Sequence, residues 1–293
     1  MLLRPARLLA ALLGALAACA PPAATGGPLE LTDDAGTVVR LAAPATRIAS
    51  LIPATTEWLF ALGAGDRVVG RTAWCDFPAE AASVANLGAG LQPNLEAIAA
   101  VRPDLVLLYH SPSNQAAAQR LREMGLAVLM LRTDGLGDLD RLLELLGRAV
   151  ARPAAADSLR ARIAADLAAV SVPPGPAAPT IFLLAWDQPP MTLGRGSFLS
   201  EVVERAGGRN LFADLEAPSA TVSLEAVVAR DPDFLLVTSA DSLPAVAQRP
   251  EWQAVDAVRQ RRFVRVHGSE FNRPGPRTPA AVAALRRALE DAR

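Results

Sequence analysis

The chain has 293 residues, 51% of them hydrophobic, with a formal net charge of −1 and two cysteines. That length and apolar content suffice for two ordinary cores, and so balanced a charge argues against nucleic acid as the main partner, because phosphate binding needs a basic excess. All 29 basic residues are arginine, so an anion contact must come from a guanidinium or from backbone N–H groups.

The amino terminus reads as a processing segment. Arg4 and Arg7 precede an apolar run at 8 to 18 (LLAALLGALAA) that is too short to span a bilayer as a mature helix. Residues 1 to 18 are therefore expected to be a signal peptide. The end of that segment, Leu16-Ala17-Ala18-Cys19, resembles the lipobox of bacterial lipoproteins, in which cleavage before the cysteine is coupled to its acylation; an ordinary cleavage site followed by an incidental cysteine is the plainer alternative. On the lipobox reading Cys19 carries the lipid, and residues 19 to 28 tether a soluble body to a membrane of the cell envelope. Cys75 is then the sole remaining thiol, so no internal disulfide is expected.

From residue 29 the chain alternates strand and helix. Residues 29 to 42 read as a hairpin around Asp34-Ala35-Gly36. A strand at 47 to 52 (RIASLI), a helix at 54 to 63 and a strand at 67 to 72 follow. After the helix and strand of 94 to 108, taken up below, come a helix near 114 to 125, a strand at 127 to 132 and a helix at 139 to 150 with Asp138 as its expected N-cap. Residues 154 to 171 are strongly helical by propensity, Pro153 suits the first turn, and Leu159, Ile163, Leu167 and Val170 recur at helical spacing. Beyond Pro173-Pro-Gly-Pro, a strand at 180 to 186 (TIFLLAW) and a helix near 197 to 207 open a second series. It ends with a strand at 263 to 267 and a helix at 278 to 291.

Two stretches 129 positions apart carry nearly the same message: NLEAIAAVRPDLVLL at 94 to 108 and SLEAVVARDPDFLLV at 223 to 237. Seven of fifteen positions match; leucine and alanine are common here, so the weight rests on Glu96/Glu225, Pro103/Pro232 and Asp104/Asp233. Each copy reads as a short helix opened by an N-cap (Asn94, Ser223), halted at an x-Pro-Asp turn and followed by a buried strand. The expected architecture is α/β: two Rossmann-like lobes, 29 to 150 and 173 to 293, joined by one long helix at 151 to 172, with a ligand cleft between them.

Aromatic residues are only 4% of the chain, so their positions carry information. Trp74, Tyr109, Trp186 and Phe271 all fall at or just past expected strand ends, where open α/β sheets place ligands; core filling is the ordinary alternative. Trp58, on a helix, and Trp252 are assigned to the core. Arg273 and Arg277 flank Pro274-Gly-Pro276, a rigid setting suited either to a guanidinium facing the cleft or to salt bridges with nearby acids. His110 and His267 stand apart from any spaced cluster of metal-binding residues, so no metal is expected; each is most simply a polar strand-end residue, with His110, beside Tyr109, the one placed for an axial ligand. No nucleophile elbow, phosphate loop or dinucleotide fingerprint appears, which disfavours an enzyme. Gly194-Arg195-Gly196-Ser197 is at most a weak anion nest.

Three segments together resemble one family: residues 47 to 78 (RIASLIPATTEWLFALGAGDRVVGRTAWCDFP), the two LEA units, and FNRPGPR at 271 to 277. They look like the cobalamin-binding branch of the helical-backbone solute-binding proteins that serve ATP-driven (ABC) importers. The resemblance runs from about residue 29 to the end. It implies a non-enzymatic, extracytoplasmic protein, expected to be monomeric, that carries cobalamin or a related corrinoid and needs no cofactor; haem or an iron-siderophore is the alternative cargo, and an envelope enzyme a more distant one. It implies that Glu96 and Glu225 dock onto arginine pockets of the membrane permease, although each is also an acid near a helix N-terminus, favoured there by the macrodipole. It implies that Trp74 and Tyr109 contact corrinoid, with Trp186 one residue from such a position. The chain departs from the pattern at Gly90 and Ser219, where a cobalamin binder can carry tryptophan.

Overall fold

The computed structural model describes residues 27–90, 92–238 and 244–292. The expected signal peptide and Cys19 lie outside the described residues. A hairpin comes first: β1 (Leu29–Thr32) pairs antiparallel with β2 (Val38–Leu41). Asp33 closes its turn by accepting from the backbone N–H groups of Ala35 and Thr37 at 3.0 and 2.8 Å.

The first α/β unit contains β3 (Ile48–Ser50), α1 (Pro53–Ala61), β4 (Val68–Arg71), α2 (Leu95–Ala100), β5 (Leu105–Tyr109), α3 (Pro112–Glu123), β6 (Val128–Leu131) and α4 (Leu139–Ala149). Its sheet is wholly parallel, in the order β4-β3-β5-β6. The long helix α5 (Pro153–Val170) follows, with proline in its first turn. Its apolar stripe is realised: Leu159, Ile163 and Leu167 are buried, and the helix packs on α4 behind it and on a C-terminal helix ahead. The approach to α4 is close, since a Cβ on Gly147 would stand 2.5 Å from that of Ala156.

The second unit contains β7 (Thr180–Asp187), β8 (Pro190–Leu193), α6 (Phe198–Arg205), β9 (Arg209–Asn210), β10 (Ser219–Thr221), α7 (Leu224–Arg230), β11 (Phe234–Val237), α8 (Asp256–Arg259), β12 (Phe263–Arg265) and α9 (Thr278–Asp291). Its sheet runs β10-β8-β7-β11-β12, with β9 also on β7. Strands β7, β9, β11 and β12 are parallel, whereas β8 and β10 are antiparallel additions. Those additions were not legible in the sequence, because β8 begins with a proline after Gln188-Pro189 and reads as a turn. The two sheets are separate, as expected for two lobes.

The internal repeat has a structural counterpart in detail. Asn94 and Ser223 cap α2 and α7, accepting from the N–H groups of Ala97 and Ala226. Arg102 and Asp231, again 129 positions apart, both have positive φ, 46° and 43°, ahead of the matched prolines. Asp104 Oδ2 accepts from the N–H and hydroxyl of Thr46, at 2.8 Å each, and Asp233 Oδ2 accepts from the same two groups of Thr180, at 2.7 and 2.8 Å. Each repeated aspartate thus clamps the chain where the neighbouring strand, β3 or β7, begins.

One cap differs from expectation. Asp138 does not cap α4; it is the last residue of a 3-10 turn, Leu136–Asp138, and its carboxylate accepts from the N–H groups of Asp134 and Gly135 at 2.8 and 3.2 Å. The same preference for orphan N–H groups operates one turn earlier, because the 3-10 turn precedes the helix.

Candidate functional site

A cleft of about 700 Å3 opens between the two sheets. Its walls are the C-terminal ends of parallel strands from both lobes: Leu51 and Ile52 after β3, Thr72 and Trp74 after β4, Tyr109 ending β5, Thr133 and Asp134 after β6, Leu184 and Ala185 in β7, and Thr238 after β11. Two parallel sheets that face each other by their carboxyl ends bring these short loops together, which is where such folds bind ligands.

Trp74 stands in the cleft with 67% of its surface exposed, a large apolar face kept in solvent. The segment beneath it is held by a buried hydroxyl and thiol cluster: Thr56 Oγ1 donates to Cys75 Sγ at 3.1 Å, Thr72 Oγ1 lies 3.2 Å from the same sulfur, and Thr56 Oγ1 also reaches Ser50 Oγ at 2.8 Å. The single described thiol is therefore a packing element that fixes the tryptophan's loop. Tyr109 donates its hydroxyl to Asp134 Oδ1 at 2.5 Å. Burial, reinforced by the hydrogen bond and charge of Asp134, pushes the phenol up to about 12. Asn114, fully buried at the start of α3, donates to the Tyr109 carbonyl at 2.9 Å and so fixes the strand end.

The second lobe contributes Phe271, Asn272 and Arg273 to the wall. Phe271 is only 2% exposed, so it serves as floor rather than as a projecting face. Arg273 reaches the cleft, but its Nη1 is engaged by Glu57 Oε1 at 3.4 Å and by Asp76 Oδ1 at 3.0 Å. Glu57, on α1 and buried, also takes Arg277 through Nε at 3.0 Å and Nη2 at 2.6 Å. Trp58 adds an N–H donated to the Pro274 carbonyl at 3.0 Å. Residues 269–277 of the second lobe are thereby strapped to α1 of the first, so closely that a Cβ on Gly275 would fall 2.9 Å from Glu57 Oε2. A second link joins the lobes where Glu201 of α6 accepts from the Leu136 N–H at 2.5 Å; burial holds that carboxyl above the usual carboxylate range.

Two of the expected site residues are elsewhere. Trp186 is 61% exposed but does not line the cleft; a bulge between Leu184 and Trp186 turns it aside, its N–H donates to the Gln188 carbonyl, and Ala185 takes the wall position. Arg277 is consumed by Glu57, Glu270 and Ser269, with its guanidinium 4.1 Å above the Phe77 ring, which is the salt-bridging alternative rather than the cleft-facing one. His110 is likewise absent from the lining, and its Nδ1 accepts from Arg132 Nε at 3.3 Å. Gly90 and Ser219 do line the cleft, and a Cβ at Gly90 would meet the Leu51 carbonyl at 2.6 Å, so no side chain fits there on this backbone. Ser197, expected in a weak anion nest, instead caps α6 by accepting from the Ser200 N–H and lies in the wall. The residues that sequence reasoning missed, chiefly Thr72, Thr133, Asp134 and Thr238, also follow strand ends; small polar residues are common in such loops, so composition did not single them out.

Residues 48–269 match the family of periplasmic binding proteins. The chain belongs to that family. Its relatives include the vitamin B12-binding protein of Vibrio cholerae, 31% identical over 244 residues that cover 82% of this chain and 87% of the relative. An uncharacterized ABC transporter substrate-binding lipoprotein of Bacillus subtilis is 27% identical over 266 residues, 88% and 84% of the two chains. Among solved structures, the periplasmic vitamin B12-binding protein of Vibrio cholerae superposes with a TM-score of 0.68 at 28% identity, covering 85% and 98% of the two chains. A periplasmic haem-binding protein from Roseiflexus in its apo form gives 0.72 at 26% identity, covering 85% and 99%. This periplasmic binding protein is thus a substrate-binding protein of an ABC transporter, in a family of solute binders rather than enzymes, with a small-molecule ligand and a permease as partners.

Proposed function

We propose that this binding protein carries cobalamin or a closely related corrinoid to its importer. The observation that carries this reading is the chemistry of the cleft. Exposed and half-buried aromatic faces, Trp74 and Tyr109, stand among neutral hydrogen-bonding groups, and the sole arginine of the described lining is already paired with two acids. A flat, bulky, amide-rich ligand fits that set. A haem, whose carboxylates call for free cations, fits it less well. The relationship to the Vibrio cholerae protein points the same way. Haem or an iron-siderophore remains the second reading, favoured by the structural likeness to the Roseiflexus protein.

The test is titration of the purified protein with cyanocobalamin, dicyanocobinamide and haemin, followed by absorption spectroscopy and calorimetry. Saturable one-to-one corrinoid binding without product formation is expected. Binding of haemin alone would replace the corrinoid reading with the haem one.

We further propose that Glu96 and Glu225 are the permease contacts. Both are exposed on the first turn of matched helices, and residues 92–98 and 221–227 share one alternation of exposure ending in a buried Ile98 or Val227. In the same proposal residues 1 to 18 are removed as a signal peptide, Cys19 is acylated, residues 19 to 28 form the tether, and the lobes of 29 to 150 and 173 to 293 work as a monomer about the helix of 151 to 172.

A further inference from the structure

Among the described lining residues only two carry formal charge, Asp134 and Arg273. They are not equivalent. Arg273 is neutralised inside the protein by Glu57 and Asp76. Asp134 has no cationic partner among the described residues: Oδ1 accepts the neutral hydroxyl of Tyr109, and no hydrogen bond reaches Oδ2. Of the basic groups nearby, Arg141 pairs with Asp34 and Asp138, while Arg132, absent from the lining and exposed, donates its Nε to His110 Nδ1 and forms no ion pair with Asp134, although its charge is felt at Tyr109.

The position of Asp134 is fixed by its backbone as well as by Tyr109. Its N–H and that of Gly135 both donate to the Asp138 carboxylate, which anchors the turn that presents the side chain. With a net charge of −1 over the whole chain, the local field in the cleft is set by such uncompensated groups rather than by the protein at large.

We infer that Asp134 is the specificity-determining residue of the cleft, where it accepts a hydrogen bond from an amide N–H of the ligand and repels ligands that carry a carboxylate in the same place. This rests on the corrinoid reading and refines it: the cargo is the amidated form, and the acid form is excluded by like charge. An unpaired carboxylate whose one oxygen is held by a hydroxyl offers an acceptor and no donor, so an incoming amide gains a charge-assisted hydrogen bond while an incoming carboxylate meets repulsion without a counter-ion. Tyr109 is the positioning residue: its hydroxyl holds Oδ1 and leaves Oδ2 free for the ligand.

The experiment is calorimetric titration of the full soluble chain with dicyanocobinamide, whose side chains are amides, and with dicyanocobyrinic acid, whose side chains are carboxylates. The expected preference for the amide form is about tenfold or more, within what a like-charge contact near a protein surface supports. In Asp134→Asn the ratio should narrow by about tenfold, mainly through gain of the acid form. A second measurement needs no variant: raising ionic strength should narrow the ratio in the unmodified protein by strengthening acid-form binding, because screening acts on charge and not on the amide. Equal affinity for the two forms, or an unchanged ratio in Asp134→Asn, overturns the inference and leaves the corrinoid reading intact. Failure of both corrinoids to bind overturns the corrinoid reading instead. Haemin and its diamide then decide the role of Asp134, with preference for the diamide sustaining it and preference for haemin refuting it.

Discussion

Glu57→Ala removes the group on which the strap between the lobes converges. The Glu57 side chain is fully buried, while those of Arg273 and Arg277 are 12% and 20% exposed. Deleting one partner of a buried ion pair costs about 3–5 kcal/mol, because the remaining charge is left in a low-dielectric site. Here both arginines retain a second acid, Asp76 at 3.0 Å and Glu270 at 2.5 Å, which places the expected loss near the lower end, about 3 kcal/mol. For a chain of this size that corresponds to about 6–12 °C in Tm, taking 2–4 °C per kcal/mol. Urea unfolding followed by the fluorescence of buried Trp58 and Trp252 measures it. A cycle with Arg277→Ala should show coupling of at least about 1 kcal/mol between the two positions. A loss below about 1 kcal/mol in Glu57→Ala, or simple additivity in the cycle, would refute the view that this pair joins the lobes.

Charge reversal at both Glu96 and Glu225 is expected to abolish ligand uptake in cells while the purified double variant keeps its ligand affinity; loss of affinity would show that the glutamates serve the cleft instead. Asp104→Ala and Asp233→Ala should each cost about 1–2 kcal/mol, since each loses at least two hydrogen bonds to a strand start, and the double variant should be additive because the clamps lie in different lobes. The chain has one tyrosine, so ultraviolet titration reads Tyr109 directly. Its folded value of about 12 lies above the ordinary 10, so the stability it contributes is complete below pH 10 and lost as pH rises through about 12. Asp134→Asn should bring phenolate absorbance to lower pH, and phenolate at its ordinary pH in the unmodified protein would contradict the Tyr109–Asp134 bond.

The sequence by itself determined what depends on neighbours along the chain. Asn94 and Ser223 cap their helices because a cap needs only N–H groups two or three residues away. The stripe of Leu159, Ile163 and Leu167 announced α5 because helical periodicity is local. Alternating strands and helices, with one unit repeated, were enough for two lobes, and the strand-end rule pointed to Trp74, Tyr109 and Phe271, which lie in the wall. The same rule could not separate Trp74 from Trp186, because a bulge in β7 decides which way the second tryptophan turns. Only the tertiary structure decided how the arginines are used. Glu57 and Arg277 meet across 220 residues, and no local pattern tells a guanidinium that faces a ligand from one that a buried carboxylate has already claimed. It also decided that Asp134 has no ion-pair partner among the described residues, since charge compensation is a property of the whole surrounding shell, assembled from both lobes, and not of the Thr133-Asp134-Gly135 turn that carries the side chain.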